Sequence, residues 1–127
     1  MPILLAMTRS ITIVTIALLM ATFATAQPKP AQQLYVVTYV DVYPNFAADT
    51  AALLKKFAAD SLKEAGCMRF EVLQDVSRVN HFSIVEVWKT RADYETHLGG
   101  PNNRPMRDKL QPWMGSPFDE RLYYVAP

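Results

Sequence analysis

Glu86-Val87-Trp88-Lys89-Thr90-Arg91-Ala92-Asp93-Tyr94-Glu95-Thr96-His97-Leu98 carries a strand straight into a short helix, and this junction decides the fold. Thr90 stands where a helix N-cap belongs, and Asp93 follows three residues later, a weaker relative of the Ser/Thr-x-x-Glu capping box. The spacing predicts a helix over residues 91–98 with Tyr94, His97 and Leu98, three and four apart, on one face. Gly99-Gly100-Pro101 ends it, with glycine expected in a left-handed cap and proline unable to continue the ladder. Trp88, Tyr94 and His97 therefore converge at the edge of an apolar fold, where they form the best candidate for a small-molecule site.

Outward from this junction, residues 34–43 are rich in Val and Tyr and have strand composition, with Pro44 and Asn45 ending the strand and capping the helix after it. Residues 46–65 contain neither Gly nor Pro, and Phe46, Leu53, Leu54, Phe57, Ala58, Leu62 and Ala65 recur at helical spacing, predicting an amphipathic helix closed by Gly66. Residues 68–76 alternate, with Met68, Phe70 and Val72 on one face. Ser77-Arg78-Val79-Asn80 turns the chain into a partner strand over residues 81–88. Beyond the short helix, residues 102–113 form a helical stretch broken at Pro105 and Pro112, and residues 118–125 a closing strand. The order β-α-β-β-α-(α)-β, with an antiparallel sheet, is a ferredoxin-like α+β fold.

The first strand is apolar on both faces, Leu34, Val36, Val40 and Val42 on one side and Tyr35, Val37, Tyr39 and Tyr43 on the other. Helices cover only one face of such a sheet. A second copy of the chain is expected on the other face, giving a homodimer packed sheet to sheet.

The N-terminus is set apart from the domain. Arg9 precedes an apolar run and then Ala24-Thr25-Ala26, the pattern of a secretory signal peptide over residues 1–26. The uncharged stretch, residues 10–26, holds four Thr and one Ser and only just reaches the roughly 17 residues that a spanning helix needs, so cleavage is expected rather than retention as an anchor. The mature protein is then periplasmic or secreted, with no membrane association. Residues 27–33 are a Pro-rich polar linker, and residues 34–127 form one domain. Only Arg9 among the charged residues leaves with the signal, so basic and acidic residues balance and nothing electrostatic favours nucleic acid. Cys67, the one cysteine, has no partner in the chain and reads as a small buried hydrophobe. His81 and His97 have no Cys or carboxylate at ligand spacing, so no metal is expected. His81 is expected to face solvent, and Arg104 with Asp108 and Arg107 with Gln111 read as solvated helix pairs.

The segment Ala65-Gly66-Cys67-Met68-Arg69-Phe70-Glu71-Val72-Leu73-Gln74-Asp75, followed by Phe82-Ser83-Ile84-Val85-Glu86-Val87-Trp88 and His97-Leu98, resembles the antibiotic biosynthesis monooxygenase family in its quinol monooxygenase-like branch. The resemblance spans residues 34–125. It implies a small dimeric α/β barrel and, for several members, oxidation of a quinol or related phenol by O2 with no cofactor. Trp88 and Tyr94, six apart, match the functional Trp and Tyr of an oxygenase member, and His97 matches the family's common His. Ile84 stands where that oxygenase has Asn, and Asn102 where many members carry a second His. The haem-degrading branch fits worse, since residues 102–111 contain no His and Val37, Thr38 and Tyr39 replace its first-strand Asn.

The chemistry so implied needs a dry site, a stabilised substrate anion and a proton path. Trp88 supplies an aromatic wall, Tyr94 a hydrogen bond to a substrate oxygen, and His97 proton exchange near neutral pH. Tyr39, Phe82, Leu98, Asn102 and Met106 are expected to complete the pocket around a small aromatic substrate and O2. The rival reading is a non-catalytic dimeric module that binds a small ligand or serves as a structural partner, with each of the three rings a core or interface group.

Overall fold

Alternation builds the sheet. In β1 (Leu34–Asp41) the side chains of Leu34, Val36, Thr38 and Val40 are buried while the intervening residues lie on the outer face. The computed structural model describes residues 29–127, so the proposed signal peptide and the first two linker residues lie outside the described part; residues 29–33 are exposed and without regular structure. After β1 a single 3-10 turn, Pro44–Phe46, leads into α1 (Ala47–Ser61), whose buried stripe is Thr50, Leu54, Phe57 and Ser61. The helix thus begins one residue later and ends four residues earlier than its apolar spacing suggests, and Asn45 makes no side-chain cap.

The strands β2 (Cys67–Gln74) and β3 (His81–Trp88) form the expected hairpin. A bulge between Cys67 and Arg69 shifts the register there, which is why Met68 is exposed rather than inward. The helix α2 (Arg91–Leu98) has the expected bounds, and Thr90 Oγ1 accepts from the Asp93 N–H at 3.1 Å. Its C-terminal Gly99 is right-handed at φ −85°, contrary to the left-handed cap expected there. The left-handed glycine is Gly66, at φ +79°, where a Cβ would fall 2.2 Å from the Asp93 Cγ. Its carbonyl accepts from the Lys89 N–H at 2.8 Å, so this glycine ties the α1–β2 connection to the β3–α2 junction.

Pro105 does not break α3 (Asn103–Leu110), because it is the third residue of that helix, where the N–H has no intrahelical acceptor to lose. A 3-10 turn, Gln111–Trp113, follows and absorbs Pro112, and β4 (Asp119–Tyr123) closes the chain. The strand order is β2-β3-β1-β4 with every adjacent pair antiparallel, the ferredoxin-like arrangement. The sheet of one chain is open, with β2 and β4 as its edges, so a single subunit does not form a closed barrel. All helices pack on one face, over a core of Leu34, Val36, Leu54, Phe70, Ile84, Trp88 and Leu110. No helix among the described residues is long and apolar enough to cross a membrane.

Candidate functional site

On β3 the inward positions are Phe82, Ile84, Glu86 and Trp88, so strand alternation drives one carboxylate into the layer between sheet and helices. Glu86 is only 4% exposed and Trp88 is 0% exposed. The Trp88 indole Nε1–H donates to Glu86 Oε2 at 2.7 Å. From α2, His97 lays its ring 4.7 Å from that of Trp88, and its Nε2 lies 3.9 Å from the same Glu86 oxygen. The other imidazole nitrogen, Nδ1, is 2.9 Å from Oε2 of Glu64, which sits in the α1–β2 connection. Because a carboxylate accepts, Nδ1 carries a proton toward Glu64, while Nε2 faces Glu86. Phe57 and Phe70 close the apolar side of the imidazole, with ring centroids at 5.6 and 5.9 Å.

Tyr94, one turn before His97, lies 6.3 Å from both the indole and the imidazole. Its hydroxyl donates to Oε1 of Glu120 on β4, and Arg107 of α3 donates to Oε2 of the same carboxylate. Arg107 Nε also donates to Asn103 Oδ1 at 3.2 Å. Arg107 is therefore part of a half-buried polar network and not a solvated partner of Gln111. Burial pushes the Glu86 carboxyl up to about 7, opposed by the Trp88 hydrogen bond, while Glu120 raises it further and Arg107 lowers it. Burial, then the bond to Glu120, pushes the Tyr94 phenol well above its usual value, so it is a neutral donor. The Cys67 thiol, half-buried, is pushed up to about 11 by desolvation, which keeps it protonated and unreactive at neutral pH. His81 bonds Asp41 at 2.7 Å and is only partly exposed. Among the described residues no group of three or more His, Cys, Asp or Glu is disposed to hold a metal ion.

The structure brings Trp88, Tyr94 and His97 together, as their spacing implies. The five residues expected to complete the pocket do not join them as one wall. Tyr39 points to the opposite face of the sheet, 41% exposed, with the Arg121 guanidinium 5.3 Å from its ring centre. Phe82 faces inward but lies six residues from Trp88, about 20 Å along the strand. These two share an open groove of about 620 Å³ over the outer face, with Asp41, His81 and Arg121. Leu98 is half-buried against the core. Asn102 and Met106 line a different groove, of about 250 Å³, between α1 and α3. Phe57 is common to that groove and to the wall of the His97 site, so one ring separates the two.

Sequence reasoning passed over Glu86, Glu64, Glu120 and Arg107. For Glu86 a signal existed: an acid flanked at two-residue spacing by Ile84 and Trp88 occupies a core-facing position, which a strand tolerates only when the acid has partners. The others come from elements distant in sequence and carry no such local mark.

Fold and site together define a ferredoxin-like α+β domain with a desolvated cluster of carboxyl, imidazole, indole and phenol. The family profile of the antibiotic biosynthesis monooxygenases matches residues 33–108, and the chain belongs to that family. An uncharacterized protein of Synechocystis sp. is 26% identical over 93 residues, which cover 73% of this chain but 63% of that one, so the chain matches less than two thirds of this relative's length. Among solved structures, a candidate antibiotic biosynthesis monooxygenase from Nitrosomonas europaea superposes with a TM-score of 0.72 at 24% identity, covering 79% of this chain and 97% of its own. A conserved protein of unknown function from Bacteroides thetaiotaomicron gives 0.69 at 18% identity, covering 74% and 98%. At these identities the structural likeness establishes the shared fold and nothing finer.

Proposed function

We propose that this protein is a cofactor-independent monooxygenase that oxidises a quinol or related phenolic compound with O2. The observation that carries this reading is the meeting of Glu86, Trp88, Tyr94 and His97 in one water-poor cluster. An electron-rich quinol needs no cofactor: once deprotonated it reduces O2 itself, taking one oxygen atom to become a hydroxyquinone while the other leaves as water. The protein's part is to exclude water, take up the first proton and hold the substrate anion, for which a neutral phenol donor and a paired carboxyl and imidazole are suited. The groove between α1 and α3 offers the approach, with the Phe57 ring as its inner wall.

Purified protein is expected to consume oxygen with a reduced naphthoquinol or anthrone faster than buffer alone. His97→Gln and Tyr94→Phe should each lower that rate at least tenfold, the usual scale of a lost proton-transfer or hydrogen-bonding group. The cluster's complete closure favours a second reading, a non-catalytic dimeric module. Oxygen uptake indistinguishable from buffer across a panel of quinols that nevertheless bind would establish that reading instead.

We further propose that a second copy covers the outer face of the sheet, where Tyr35, Val37, Tyr39, Leu73 and Tyr123 stand among the charged pairs Arg69–Glu71 and Arg121–Asp119. Sedimentation equilibrium should then return twice the chain mass, and Val37→Arg should return the monomer. Export through cleavage of residues 1–26, placing the protein in the periplasm or outside the cell, belongs to the same proposal and rests on the leader's sequence pattern.

A further inference from the structure

Glu86, His97 and Glu64 line up from the closed centre of the domain to its surface. Glu86 is almost wholly buried, the His97 side chain is 1% exposed, and the Glu64 side chain is 19% exposed. We propose that Glu86 receives the proton released by the substrate and that His97 and Glu64 pass a proton on to solvent. This rests on the functional reading above and assigns the base and the exit route within that site.

The geometry gives each step a direction. In its neutral form the imidazole that donates Nδ1–H to Glu64 at 2.9 Å has Nε2 as an acceptor, and that atom faces Glu86 at 3.9 Å. A movement of about 1 Å brings that second gap to hydrogen-bond length. The substrate O–H breaks and its proton bonds to Glu86, leaving the substrate anion. The Glu86 O–H then breaks toward His97 Nε2 while the Nδ1–H passes to Glu64, which gives its proton to water. The imidazole ends as the opposite neutral tautomer and Glu86 as the carboxylate. The same chain run inward, from water through Glu64 to Nδ1 while the Nε2–H passes to Glu86, then returns a proton to the oxygen atom that leaves as water and restores the starting tautomer.

A purely structural tie between sheet and helix would use the same atoms without titrating. The groups around Glu86 are Trp88 on its own strand, His97 and Tyr94 from α2, Glu120 from β4, Arg107 from α3 and Glu64 from the α1–β2 connection. Arg107 is the cation nearest this set and is bound to Glu120, so no lysine or arginine holds Glu86 permanently ionised. With burial placing its midpoint at about 7, the carboxyl is poised to accept and release a proton under neutral conditions.

The test uses the Trp88 indole as reporter, because its N–H donates to Glu86 and its 1H–15N resonance senses the charge there. In the full domain that resonance should titrate with a midpoint near 7, and in Glu86→Gln it should be flat between pH 5 and 9. Oxygen uptake with a naphthoquinol should rise through the same midpoint, and Glu86→Gln should lose that step and at least tenfold of the rate at pH 8. Glu64→Gln should keep the indole titration while slowing uptake and enlarging its solvent deuterium effect. An indole resonance that does not titrate, or one that titrates equally in Glu86→Gln, overturns the relay. Normal titration without oxygen uptake from any quinol overturns the enzymatic reading while leaving Glu86 as a buried proton store. Unchanged uptake and isotope effect in Glu64→Gln overturn the exit route.

Discussion

Glu86→Gln is expected to stabilise the folded domain at pH 8 by roughly 3 kcal/mol and to leave its stability at pH 4 unchanged. The carboxyl titrates at about 7 in the folded chain, against 4.5 for the ordinary group. Below pH 4.5 it is neutral in both the folded and the unfolded states, and the buried position costs the fold nothing electrostatically. As pH rises from 4.5 the unfolded chain ionises first, so the fold loses stability progressively, and the loss is complete once pH passes about 7 and the buried group must carry its charge. An amide never carries that charge, and its oxygen still accepts the Trp88 N–H. Urea unfolding at pH 4, 5.5, 7 and 8 should show the difference between variant and wild type opening over that window. A gain of equal size at pH 4 and pH 8 would mean that the change acts through packing and not through ionisation.

The second large effect is at Trp88. It is fully buried and carries the hydrogen bond that opposes the upward shift of Glu86. Trp88→Ala should cost about 3–5 kcal/mol, the usual range for deleting a buried aromatic ring. Trp88→Phe keeps most of the volume and removes only the donor, so its cost is smaller, about 1–3 kcal/mol, and falls mainly above neutral pH, where the buried carboxylate loses its partner. In that variant the Glu86 carboxyl should titrate above 7, which carboxyl-region infrared difference spectra recorded against pH will register. A midpoint unmoved by Trp88→Phe would show that the indole contributes packing alone.

The two effects share an origin that is readable only in part from the chain. The bounds of β3 are readable from its composition, and Thr90, Asp93 and the three-residue step from Tyr94 to His97 fix α2 to the residue. These are local signals with short range. The end of α1, by contrast, falls at Ser61, four residues before the end that Gly66 suggests, and Gly66 serves instead where the α1–β2 connection closely approaches Asp93, a contact between distant segments that local spacing does not announce. Pro105 reads as a break in the sequence because its position relative to the first helical turn depends on where that turn starts.

The candidate site divides in the same way. Trp88, Tyr94 and His97 lie within ten residues, so one strand and one helix suffice to bring them together. Glu64, Glu120 and Arg107 come from three other elements, and only folding places Glu64 33 positions from His97 yet 2.9 Å away. The expected pocket differs from the grooves that exist for the same reason: Tyr39 and Phe82 leave the site because one faces outward and the other lies far down its strand.

By itself the sequence determined the order of elements, the antiparallel ferredoxin-like topology and the meeting of the three rings, because each arises from periodicities and caps acting over a few residues. Tertiary structure alone decided that the imidazole lies between two carboxylates, that one of them is desolvated, and that a phenylalanine separates this cluster from the nearest groove. Desolvation and charge proximity depend on which distant side chains crowd a given atom, and that crowding is a property of the packed chain, not of any segment of it.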